Sequence, residues 1–135
     1  MDQTTIGDVL QETRLDYDID TEEITVMKLP RLMAYKDENA NIFKLYLSKG
    51  TANVDLSTSE VGAKMFFTTA SGQLITINGV VSSDTIWHDT EFDLVWHVDF
   101  SLTNNCYVQG KFRADICLTK GTKQRTIIIM EGNIL

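Results

Sequence analysis

Residues 92–99, Phe-Asp-Leu-Val-Trp-His-Val-Asp, alternate most cleanly of any stretch in the chain. Phe92, Leu94, Trp96 and Val98 fall on one side, and Asp93, Val95, His97 and Asp99 on the other. Side chains of a strand point to opposite faces with period two, so this stretch predicts a half-buried strand with its apolar side inward. The same period recurs on both sides of it. Residues 110–118 set Phe112, Ala114, Ile116 and Leu118 against Lys111, Arg113, Asp115 and Cys117. Residues 42–47 place Phe43, Leu45 and Leu47 together, and residues 61–67 place Val61, Ala63, Met65 and Phe67 together. Residues 14–20 alternate Leu15, Tyr17 and Ile19 with Arg14, Asp16, Asp18 and Asp20. Residues 73–81 and 126–130 add β-branched runs after the turns Ser71-Gly72 and Lys120-Gly121. Pro30 inside the apolar stretch 24–33 removes a ladder donor, which suggests a sheet edge or a crossover.

Seven or eight strands at this spacing predict an all-β antiparallel sandwich. Helical periodicity is confined to residues 5–13, where Ile6, Val9 and Leu10 stand at i, i+3 and i+4, and to one possible turn at 57–60. A chain of 135 residues supports one domain, and 43% hydrophobic content excludes a disordered chain. No apolar run approaches the roughly 18 residues of a membrane-spanning helix. A pI near 4.7 argues against a nucleic-acid partner, because phosphate binding needs a basic face.

The net charge of −7 is unevenly placed. Residues 1–23 hold eight acids and only Arg14 as a base, whereas residues 24–135 balance. We therefore read residues 1–33 as an acidic arm with extended or edge-strand segments, and residues 34–135 as the sandwich. Charge asymmetry of this kind marks a tail that contacts something else, and Asp2, Asp8, Glu12, Asp16, Asp18 and Asp20 are its candidate partner-binding residues. A solvated leader is the competing reading. Asp16-x-Asp18-x-Asp20 begins like a calcium loop, but Thr21 replaces the turn glycine and Met27 the closing glutamate. Three carboxylates on one strand face point instead to an edge-protecting strand or a basic partner.

Little in the chain points to catalysis or cofactors, and none of either is expected. His88, His97, Cys106 and Cys117 lack zinc-ligand spacing. His97 and Asp99 share a strand face, but no nucleophile elbow accompanies them, and Ser101 lies only two residues further on. Trp87 and Tyr107 are the candidate stacking platform for a glycan. Asp55 is a candidate cap of the turn that follows it, and Gly110 a flexible entry to a long strand. Two cysteines make no disulfide framework, and residues 1–12 lack the basic and apolar regions of a secretory signal, so synthesis in a reducing cytoplasm is expected.

Two stretches resemble a known family. Residues 34–60 carry Asp37-Glu38-Asn39-Ala40-Asn41, an apolar strand at 42–47, the turn Lys49-Gly50 and Val54-Asp55-Leu56-Ser57. Residues 110–116 carry Gly-Lys-Phe-Arg-Ala-Asp-Ile. Both are similar to the N-terminal module of phage baseplate upper proteins and related tail or head fibre proteins. The resemblance covers about residues 34–130 and rests on structural residues. It implies an immunoglobulin-like sandwich in a virion, in contact with other virion proteins and with copies of itself, a trimer being one arrangement. The chain stops at Asn133-Ile134-Leu135, where family members commonly continue, so no receptor-binding tip is expected. A glycan- or host-surface-binding module is the alternative expectation.

Overall fold

In a computed structural model, residues 8–16, 27–29, 31–35, 40–49, 52–53, 56, 61–120 and 123–135 are described. Strands dominate them: β1 (Asp8–Asp16), β2 (Met27–Lys28), β3 (Leu32–Ala34), β4 (Ala40–Lys49), β5 (Ala52–Asn53), β6 (Val61–Thr68), β7 (Leu74–Asn78), β8 (Val80–His88), β9 (Glu91–Ser101), β10 (Gly110–Lys120) and β11 (Lys123–Ile134). A 3₁₀ turn, Asn104–Cys106, separates β9 from β10. The first sheet runs β1-β4-β9-β8, with β5 beside β4. The second runs β2-β11-β10-β6-β7, with β3 also on β11.

The two sheets pack into an all-β sandwich. Phe43, Leu45, Leu47, Val98 and Phe100 face Met65, Phe67, Ile116, Ile128 and Met130, all essentially excluded from water. Phe67 stacks on Phe112 with ring centroids 4.9 Å apart. Burial of this set is the main driving force of the fold.

The sandwich differs from expectation in three respects. Among the described residues, nine strands of three residues or longer replace the seven or eight expected. The sheets are mixed, because β1 pairs parallel to β4, and β2 and β3 pair parallel to β11. The helical pattern at 5–13 gives way to strand in its described part, since β1 begins at Asp8. A helix that short is marginal in water, whereas β1 gains a full ladder on β4 and buries Leu15 and Thr13. The turn expected at 57–60 lies outside the described residues, as does Asp55.

Described strands from residues 1–33 thus lie along both sheets: β1 edges the first, and β2 lies at the edge of the second. Pro30 falls in sequence between β2 and β3, which pair with the same strand on either side of it. The run at 73–81, read as one strand, is two. At Gly79 the chain leaves the second sheet as β7 and enters the first as β8. The Gly79 N–H donates to the Ala63 carbonyl at 2.9 Å. A Cβ here would overlap Val98 Cγ1 and lie 3.0 Å from Phe100 Cε1, so only glycine lets the backbone pass this close to the core. Gly110 opens β10 at φ +124°, a conformation that glycine adopts without strain.

Candidate functional site

The decisive strand splits in two. Its C-terminal half behaves as the alternation predicts, with Val98 buried and Trp96 packed against the core. Its N-terminal half does not. β4 pairs with β9 only from Val98 to Ser101, while β8 pairs with β9 from Glu91 to Asp99. Residues 83–94 therefore form a two-stranded ribbon standing proud of the sandwich, closed by the turn Asp89-Thr90 with Asp89 at φ 58°. Phe92 and Leu94, expected to be core, are exposed, because no second sheet reaches over them.

One side of the ribbon carries Trp87, Phe92 and Leu94, and Trp87 is 64% exposed. Trp87 and Phe92 sit opposite each other in the ladder, with rings tilted at 5.1 Å. Ile86 is exposed on the other side. Asp84, Glu91 and Asp93 lie on that same side as Ile86, opposite the Trp87 face, with Asp89 in the turn, and residues 80–99 contain no Lys or Arg. His88 Nε2 lies 3.2 Å from Asp93 Oδ2. The ribbon thus leaves a sizeable aromatic surface in contact with water.

A second cluster lies on the outer face of the first sheet. His97, expected to face solvent, is only 2% exposed. Its outward direction holds, but the Tyr46 ring of β4 covers it, with centroids 5.3 Å apart. His97 Nδ1 and Asp99 Oδ1 are hydrogen-bonded at 2.6 Å, and Nε2 lies 3.4 Å from Asp84 Oδ1 without a hydrogen bond. The Tyr46 hydroxyl donates to Asp84 Oδ2 at 3.4 Å. Arg14 of β1 lies over the Tyr46 ring at 5.2 Å and donates to Ser48 Oγ at 2.6 Å. Burial, reinforced by the Asp84 carboxylate, pushes the Tyr46 phenol above its usual value of 10.0. An open groove of about 350 Å³ runs here between Glu12, Arg14, Tyr46, Asp84 and Ile86. Both imidazole nitrogens face carboxylates, and Ser101 is not among the hydrogen-bond partners of His97. The cluster ties β1, β4, β8 and β9 together, and it does not reproduce a nucleophile–base pair.

A third feature lies on the second sheet, where Arg31, Thr68, Lys111, Arg113 and Glu131 line a groove of about 340 Å³. Arg31 Nη2 donates to Asn133 Oδ1 at 2.7 Å, and Arg113 Nε to Asp115 Oδ1 at 3.0 Å.

The remaining sequence candidates are dispersed. Tyr107 is half-buried against the core beyond the 3₁₀ turn, on a different part of the fold from Trp87. Glu12 is exposed on β1, and Asp8 and Asp16 lie on the same strand. Asp2, Asp18 and Asp20 lie outside the described residues. Cys106 and Cys117 are buried free thiols, and burial pushes the Cys106 thiol up. No group of three or more His, Cys, Asp or Glu among the described residues is placed to hold a metal ion. Sequence reasoning missed Arg14, Tyr46, Asp84 and the basic groove as site residues, since each acquires its neighbours only through sheet pairing. No protein-family model matches the chain, and no curated protein matches it in sequence.

Proposed function

We propose that this chain is a non-enzymatic structural protein of a phage particle, which joins or decorates baseplate, neck or head through its acidic N-terminal residues and its sheet edges. The observation that carries this reading is the acid-edged ribbon at residues 83–94, which presents Trp87 and Phe92 to solvent at the end of a sandwich. Such a surface suits docking on another protein. The resemblance of residues 34–60 and 110–116 to the baseplate module supplies the setting. The acids Asp2, Asp8, Glu12, Asp16, Asp18 and Asp20 would set partner choice and association rate more than affinity. The test is the composition of purified particles from cells supplying a chain with these five Asp residues changed to Asn. The expected result is a folded chain missing from the particles. Incorporation at the wild-type level would overturn the role of the acids, and absence of the wild-type chain from particles would overturn the reading itself.

A second reading is favoured by Trp87, an exposed indole against Phe92 on a ribbon that carries the His88–Asp93 pair on its other face. An aromatic face flanked by polar groups suits glycan stacking. It predicts a glycan-array signal that Trp87→Ala abolishes, and an array without signal removes it.

A further inference from the structure

The body of this molecule is charge-neutral as a whole and strongly divided within. Residues 80–99 carry Asp84, Asp89, Glu91, Asp93 and Asp99 and no Lys or Arg, with His88 and His97 as their only basic groups. On the second sheet, Arg31, Lys111 and Arg113 line the groove with Glu131, and Asp115 pairs with Arg113 at 3.0 Å. Register places Lys64 on the same outer face, through the pairing of Arg113 with Thr68 and of Cys117 with Lys64. Half-buried Phe66, opposite Asp115, supplies apolar surface between these bases. The chain thus carries an acidic, aromatic projection and a basic groove of complementary charge.

We propose that the ribbon tip of one copy docks in the Arg31–Lys111–Arg113 groove of a second copy, in a head-to-tail contact. Asp89 in the turn and Glu91 and Asp93 on one face of the ribbon would meet the bases, and Trp87 and Phe92, on the opposite face, would cover apolar surface at the other side of the groove. The ribbon extends about five residues per strand beyond the sheet, roughly 15 Å, which is ample reach into a shallow groove. Docking removes exposed aromatic area from water, and this gives the contact its affinity. The opposed charges select the groove over the acidic N-terminal side of the chain. Because the two surfaces differ, the contact is heterologous and builds a ring where the rotation closes, or a filament where it does not. The inference rests on the structural-protein reading and names the partner of one of its surfaces as the chain itself.

Sedimentation of the full-length purified chain tests it. Wild type should self-associate with concentration, about tenfold more tightly at roughly 50 mM than at 500 mM salt, since screening weakens exposed charge pairs. Asp89→Lys/Glu91→Lys/Asp93→Lys and Lys111→Glu/Arg113→Glu should each stay monomeric alone, with unchanged circular dichroism. Their equimolar mixture should associate again, because the reversed tip then meets the reversed groove. Trp87→Ser, which leaves every charge in place, should weaken association at both salt concentrations. A monomeric wild type, a reversed variant that associates like wild type, or a mixture that stays monomeric would overturn the contact. Particle composition is read separately, so a monomeric chain found in particles overturns the contact alone. An associating chain absent from particles overturns only the structural-protein reading.

Discussion

Tyr46 shows how much one side chain on the outer face of a sheet can organise. Its ring roofs His97, supports Arg14 and directs its hydroxyl at Asp84, so residues far apart in sequence share one neighbourhood. Its raised pKa has a signed consequence. Above pH 10.0 the unfolded phenol ionises while the folded one keeps its proton, so the unfolded state binds fewer protons and stability falls as pH rises. Below pH 10.0 both states are neutral and the contribution is fully present. Tyr46→Phe should therefore lose less stability than wild type between about pH 9 and 11 in urea melts. Equal slopes would show that Tyr46 titrates alike in both states. Gly79 is a second decisive residue. Gly79→Ala forces a methyl against Val98 and Phe100 and should cost about 1–3 kcal/mol in denaturant unfolding. Neither role was legible from sequence. Tyr46 has a strand's ordinary outward position, and Asn78-Gly79 reads as easily as a turn within one strand. The partners that give each residue its part come from strands distant in the chain.

Among the elements, alternation predicted sides well wherever a second sheet lies opposite. Phe43, Leu45 and Leu47 on β4 and Phe112, Ala114, Ile116 and Leu118 on β10 are all buried as the pattern requires. It failed at Phe92 and Leu94, because period two says which way a side chain points and nothing about how far the facing sheet extends. It failed in the opposite sense at His97, which points outward but lies under Tyr46. β1 was misread for a related reason: a local i, i+3, i+4 pattern cannot register a parallel neighbour 32 residues downstream. That pairing makes a prediction. Leu15 is buried, so Leu15→Ala should lose about 2–4 kcal/mol. Removal of residues 1–23 should lower the melting temperature, because it takes Leu15 from the core and bares the β4 edge. An unchanged melting temperature after that deletion would mean that β1 adds nothing to the body.

On the scale of the whole molecule, the buried thiols report cooperativity. Cys106 closes the 3₁₀ turn and Cys117 lies on β10, facing Thr126 of β11 at 3.5 Å. Burial keeps Cys106 in its unreactive thiol form. Iodoacetamide should label neither cysteine in the native chain, and both should become reactive together through the unfolding transition. Labelling of Cys106 well below that transition would reveal separate opening of the turn. The sequence located an excess of negative charge in residues 1–23 and took the remainder as neutral. Folding reveals a further division within that remainder, between an acidic ribbon and a basic groove, which summation along the chain conceals. The parallel partners of β11 have one more consequence, a mechanical one. Leu32, Met33 and Ala34 run alongside Gly132, Asn133 and Ile134 in the same direction, and the Leu135 N–H donates to the Ala34 carbonyl at 2.7 Å. A pull on the chain ahead of β3, opposed by a pull beyond β11, slides the two strands lengthwise past each other. Every hydrogen bond between them then carries the load at once, where an antiparallel pair gripped at one end would peel apart rung by rung.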